Sequence, residues 1–156
     1  MKISVVVPVY NEEVSIQPFL DRTIDVLNKI TKEYEIIFSL DPSTDRSEEK
    51  LINLASKNKN IKIILLSRRF GQPAATVAGI NNSLGDCCVV IDVDLQDPPE
   101  LIEILYKKFL EGYEVVLAKR NNRKGETFLK KIIASLGYKI INFFSEIEMP
   151  VDTGDF

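Results

Sequence analysis

Two aspartates separated by one apolar residue, Asp92-Val93-Asp94, stand in the stretch VVIDVDLQDPPELI at residues 89–102, with Gln96 two positions on and Asp97 before a double proline. The apolar run Val89, Val90, Ile91 reads as the end of a buried strand. Side chains alternate in direction there, so Asp92 and Asp94 face the same way while Val93 turns to the core. Carboxylates that close repel unless a cation sits between them. Gln96 adds a neutral oxygen from the same side. Such an all-oxygen set suits a hard ion, Mg²⁺ or Mn²⁺, which takes water or phosphate oxygens in its remaining positions. The competing role for Asp94 and Asp97 is to cap the helix that Pro98 and Pro99 open. Capping is favoured for Asp97, and metal binding for Asp92 and Asp94.

Three further polar clusters follow apolar runs. In Pro8-Val9-Tyr10-Asn11-Glu12-Glu13, Asn11 can cap the next helix with both glutamates in its first turn. Tyr10 beside the rigid Pro8 can instead border a flat heterocycle. Asp41-Pro42-Ser43-Thr44-Asp45 reads as a turn and a cap. Arg120, Arg123 and Lys124 lie where anions would arrive beside a metal centre, arginine being the better fork for phosphate oxygens. A solvated basic loop is the alternative.

The elements that must position these groups are legible as an alternation. Short runs rich in Val and Ile predict strands at 2–8, 34–40, 61–66, 87–92 and 113–118, and longer stretches of helical period lie between them at 13–31, 45–58, 72–84 and 98–111. Gly85 and Gly112 are expected to stop the helices before them. This is the signature of βαβ units around a mostly parallel sheet, an α/β fold. In such a sheet ligands bind beyond the carboxyl ends of the strands. That rule singles out PVYNEE, DPSTD, SRRFGQ, DVDLQD and KRNNR, one after each expected strand. A final helix at 127–147 sets Phe128, Leu129, Ile132, Ile133, Leu136, Ile140, Ile141, Phe143 and Phe144 against Lys130, Lys131 and Lys139. That face suits a membrane surface as well as it suits a core.

A chain of 156 residues, 45% hydrophobic and 28% charged, is the size of one domain with a real core. A net charge of −3 and the lack of a long basic run argue against a nucleic-acid partner. The two cysteines, Cys87 and Cys88, are adjacent and are expected to be reduced core residues. Histidine is absent, which removes His-based triads, HExxH zinc sites and histidine general bases together. There is no GxGxxG after the first strand and no P-loop, so an NAD enzyme is disfavoured. No signal peptide or run of about 18 apolar residues is present, so the sequence as it stands reads as cytosolic.

Taken together, VVVPVYNEE, FSLDPSTDRS, SRRFGQPAATVAGI, VVIDVDLQDPPELI and the closing VDTGDF resemble a family 2 glycosyltransferase of the GT-A fold, in particular its polyprenyl-phosphate branch. The resemblance runs from Val5 to Phe156. It implies a Rossmann-like α/β/α sandwich forming one catalytic domain over 1–156. It implies that Pro8, Tyr10 and Glu12 border the base and ribose of a nucleotide sugar and that Asp41 contacts the base. Asp92, Asp94 and Gln96 would hold the metal and donor diphosphate, and Arg120 and Arg123 would meet donor or acceptor phosphate. Three positions in two motifs depart from the family pattern. Leu40 and Pro42 replace an acid and a glycine of its second motif, and Val93 replaces a common alanine. Relatives continue beyond DTGDF, often with membrane helices, so the domain is expected to be truncated at its C-terminus.

The implied activity is inverting, metal-dependent transfer from a nucleotide sugar, UDP-glucose being the expected donor, to a polyprenyl phosphate at the cytoplasmic membrane face. Membrane contact would come through helix 127–147 or through later spans. A lipid monophosphate is already anionic near neutral pH and can attack without a general base, consistent with the missing histidines. Asp94 and Arg120 are the expected catalytic groups. A saccharide hydroxyl acceptor would need a base, for which Asp155 is the late candidate. A non-catalytic nucleotide-sugar-binding module is the third possibility, and a homo-oligomer is compatible with the sequence.

Overall fold

The computed structural model describes residues 1–118. Within them, β1 (Ile3–Val9) and β2 (Tyr34–Leu40) are seven-residue strands buried along their whole length. β3 (Ile61–Leu65) and β4 (Cys87–Val90) are shorter and partly exposed. The four form one parallel sheet in the order β3-β2-β1-β4. Strands paired on both sides and covered on both faces read as unbroken apolar runs, which is why β1 and β2 lack the alternation of half-buried strands.

Helices α1 (Ile16–Ile30), α2 (Ser47–Lys57) and α3 (Gln72–Asn81) connect successive strands, and α4 (Leu101–Leu110) follows β4. The faces they cover can be read from β2. Phe38 meets Phe19 of α1 edge-on, with ring centroids 6.4 Å apart. The next residue, Ser39, lies under Gly79 of α3, so α1 and α3 cover opposite faces. A methyl group on Gly79 would run into Cγ1 of Val6 and approach the Ser39 hydroxyl to 2.8 Å, so α3 rests on the sheet at a distance only glycine allows. On the other face α1 also packs against α4, joined by an Arg22–Glu100 pair at 2.7 Å.

Several sequence expectations are corrected. Residues 113–118 form no strand: Tyr113, Val115 and Leu117 are exposed, Val115 by 76%. An alternating run becomes a strand only by bonding to a neighbour's edge, and periodicity does not supply one. α3 ends at Asn81, short of Gly85, whose N–H instead donates to Ser4 Oγ at 2.9 Å. The first helix starts at Ile16 rather than 13, leaving Val14 outside it and exposed, and within the expected 72–84 helix Val77 and Leu84 are exposed too. The cysteines are free thiols, but Cys87 is half-buried and Cys88 exposed, because β4 pairs only with β1 among the described residues. Gly112 does stop α4, at a φ of 100°.

At the amino ends of the strands lies a buried carboxylate. Glu35, 2% exposed, accepts hydrogen bonds from Lys2 Nζ (2.7 Å), Ser4 Oγ (2.7 Å) and the Leu84 N–H (2.6 Å), and pairs with Lys62 Nζ at 2.8 Å. Burial alone would raise its pKa, but these donors outweigh it and bring the value from 4.5 to about 2. The depressed value makes Glu35 stabilising wherever the unfolded chain would also be ionised, above pH 4.5. That contribution, about 3 kcal/mol from the size of the shift, is lost as pH falls from 4.5 through 2. Glu35→Gln should therefore lower unfolding free energy by about 3 kcal/mol at pH 7. Urea titrations at stepped pH should show the gap to wild type closing between pH 4.5 and 2.

Candidate functional site

The strand register brings the site together. Val6 and Ser39 both face α3, so by alternation Pro8 of β1 shares that face. Tyr10, Asp41 and Asp92 continue the same parity just beyond the strand ends. There a cavity of about 320 Å³ opens. Pro8, Tyr10 and Glu12 line it from the exit of β1, Asp41 from β2, and Asp92 and Asp94 from β4. Arg69, Gly71, Gln72 and Ala75, from the loop after β3 and the start of α3, complete the wall.

The loop after β1 is stitched to the loop after β2. Asn11 adopts a left-handed φ of 55°, which asparagine tolerates well. Its Oδ1 accepts the Thr44 N–H at 2.8 Å, while its own N–H donates to Ser43 Oγ at 3.1 Å. Asn11 is thus no helix cap: α1 starts after Ser15, with no acid in its first turn. The neighbouring N–H groups follow suit, Glu12 to Ser47 Oγ (2.9 Å) and Glu13 to Asp45 Oδ2 (3.0 Å). Burial works to raise the pKa of Asp45, but the Ser47 hydroxyl and the backbone N–H groups of Glu13 and Ser47 hold it below the usual carboxylate range.

Asp41 is 2% exposed, and both its oxygens are engaged: Oδ1 by the Phe70 N–H at 3.0 Å, Oδ2 by the Gly71 N–H at 2.8 Å. Gly71, at a φ of 89°, is the turn from which α3 starts. The expected turn-forming aspartate therefore clamps a loop 29 residues away in sequence. The same loop carries Arg69, whose guanidinium lies 4.0 Å from the centroid of the Tyr10 ring. Across the cavity the Gln72 amide donates to Asp92 Oδ1 at 2.8 Å.

β4 stops at Val90, so Asp92 and Asp94 sit in the turn beyond it rather than on the strand. Asp92, the 3%-exposed Val93 and Asp94 all line the cavity wall, so the strict alternation expected of a strand does not separate them there. Leu95 has a φ of 62°, and the turn is closed by the Gln96 N–H on Asp94 Oδ1 at 2.9 Å. The Gln96 side chain is exposed and outside the wall. Among the described residues no group of three histidine, cysteine, aspartate or glutamate side chains is placed to hold a metal ion by itself. Two carboxylates on an open cavity nonetheless fit a divalent ion of the kind that one or two protein carboxylates and substrate phosphates hold between them. Asp97 is buried, and α4 starts at Leu101 with Glu100 as its N-cap.

Arg120, Arg123, Lys124, Asp155 and the helix expected at 127–147 lie outside the described residues. Sequence reasoning picked out the stretch SRRFGQ after the third strand but gave no role to Arg69, Gly71 or Gln72 within it.

A family model described as "Glycosyl transferase family 2" matches residues 4–156. The chain belongs to that family. Among curated relatives of this glycosyltransferase family, it is 47% identical over 153 residues to the uncharacterized glycosyltransferase YkcC of Bacillus subtilis, covering 98% of the chain and 47% of the relative. It is 45% identical over 130 residues to the undecaprenyl-phosphate 4-deoxy-4-formamido-L-arabinose transferase of Photorhabdus laumondii, covering 83% and 40%. The chain thus spans about half the length, or less, of these relatives. Among solved structures, glucosyl-3-phosphoglycerate synthase of Mycobacterium tuberculosis with Mn²⁺ and UDP-glucose superposes with a TM-score of 0.61 at 25% identity, over 89% of this chain and 51% of that one. A mannosyltransferase of Pyrobaculum calidifontis with GDP-mannose and Mn²⁺ gives 0.61 at 22% identity, over 76% and 35%. The fold is the GT-A arrangement of these enzymes.

The clamp can be tested directly. Asp41→Asn keeps the shape but sets an amide NH₂ against one of two backbone N–H donors. Urea unfolding should show a loss of about 1–3 kcal/mol. Amide hydrogen exchange should accelerate at Phe70 and Gly71 while the β1 amides keep their protection.

Proposed function

We propose that the chain is the donor-binding part of an inverting, metal-dependent glycosyltransferase that moves a sugar, glucose from UDP-glucose, to a polyprenyl phosphate at the cytoplasmic face of the membrane. One observation carries the donor half of this reading. The cavity beyond the carboxyl ends of β1 and β4 collects an aromatic ring, a rigid proline and two carboxylates, although the stretches that supply them lie far apart in sequence. Pro8, Tyr10 and Glu12 would hold the base and ribose. Asp92 and Asp94 would hold a divalent ion against the diphosphate, with Gln96 setting Asp94 through its backbone N–H. When bound, such an ion neutralises the charge that develops on the departing nucleoside diphosphate.

The acceptor half rests on likeness and on chemistry. The relative from Photorhabdus carries an undecaprenyl-phosphate acceptor in its name. An anionic phosphate needs no base to attack the anomeric carbon, and a single displacement inverts that centre. Arg120 and Arg123 would receive the acceptor phosphate. Among the described residues no helix is long and apolar enough to cross a membrane. Membrane contact would come through residues 127–147 or through later spans.

Isothermal titration of the chain with UDP-glucose, UDP-N-acetylglucosamine and GDP-mannose, each with and without Mn²⁺, tests the donor site. Metal-dependent binding is expected for one of them, UDP-glucose first. Asp94→Asn should cut that affinity by about tenfold or more and remove most of its metal dependence. Equal, metal-independent titrations for all three would overturn the proposal.

A further inference from the structure

We infer that Arg69 is a donor-diphosphate residue held in waiting on the ring of Tyr10, so that nucleotide binding moves its guanidinium from the ring to the phosphates. The inference rests on the donor-site reading above and names a further donor-binding residue within it.

The charge of the cavity poses the problem. Glu12, Asp41, Asp92 and Asp94 all line it, and Arg69 is the one cation among the described lining residues. A nucleoside diphosphate brings further negative charge into that acidic setting, and a bound divalent ion offsets only part of it. Arg69 makes no ion pair with another described residue. It spends its guanidinium on Tyr10, 4.0 Å from the ring centroid.

That position has two consequences. It covers one face of the aromatic ring expected to border the base, so the resting arrangement competes with base stacking. It also keeps a planar fork of donors beside the mouth of the cavity, ready for phosphate oxygens. An exposed cation–π contact is worth only a few-fold in an equilibrium constant, whereas a charge-assisted fork on phosphate is worth about tenfold or more. Phosphate therefore wins the guanidinium when it arrives, and the ring is released to the base in the same event. The pivot is fixed. Asp41 grips the N–H groups of Phe70 and Gly71, so the backbone next to Arg69 is anchored while the exposed side chain swings.

The test compares a nucleoside with its diphosphate. Uridine, UDP, guanosine and GDP are titrated into wild type, Arg69→Gln and Arg69→Lys at constant Mn²⁺, with circular dichroism confirming the fold of this surface variant. For whichever base wild type accepts, Arg69→Gln should weaken the diphosphate by about tenfold and leave the nucleoside unchanged or bound a few-fold more tightly. Arg69→Lys should recover part of the diphosphate affinity. Nucleoside and diphosphate weakening in step, or Gln and Lys variants binding the diphosphate alike, would overturn the inference. Failure of wild type to bind either diphosphate would sink the donor-site reading itself, and this inference with it.

Discussion

Because β1 has β2 on one side and β4 on the other, the connection that leaves it and the connection that returns beside it run over opposite faces of the sheet. Among the described residues no crossover covers the opening between the carboxyl ends of β1 and β4. The first turn of α3 lines that gap with its positive end. The remaining features of the site fill or line that space. The acids at the exit of β4, the ring at the exit of β1 and the arginine before α3 come from three separate stretches of chain. They meet because strand order reverses at the centre of the sheet.

Local signals were the readable ones. The apolar runs of β1, β2 and β3 and the periods of α1, α2 and α4 stand in the sequence because a buried strand or a half-buried helix imposes its pattern residue by residue. The stop at Gly112 is of the same kind. The rule about carboxyl ends also picked out the stretches that carry Pro8, Tyr10, Glu12, Asp41, Asp92 and Asp94, which the cavity brings together. What stayed hidden depends on partners distant in sequence. Asn11 looks like a cap until Thr44 is seen to occupy its oxygen. Asp41 looks like a turn residue until the Phe70 and Gly71 amides appear on it. The 113–118 run has the composition of a strand, and nothing local says whether an edge will receive it.

The two ends of the sheet handle acidic groups in opposite ways. At the amino ends Glu35 is enclosed by two lysines, a hydroxyl and an amide, so its charge is satisfied within the protein. At the carboxyl ends Asp92 and Asp94 face an open cavity, with a single cationic side chain on its described wall. The same residue chemistry thus meets a closed set of donors at one edge and the wall of an open cavity at the other.

Gly79 lies seven residues into the helix that begins at Gln72, about 10 Å along its axis, yet it decides how near that helix comes to β1 and β2. A helix is stiff over such a span. Any bulk inserted beneath Gly79 would therefore tilt the whole rod and carry its first turn away from the acids opposite. The aperture of the cavity is in this sense gauged from a point outside it. Because glycine already allows the closest approach, a larger residue there could only widen the mouth, acting from the helix–sheet seam and out of reach of any ligand.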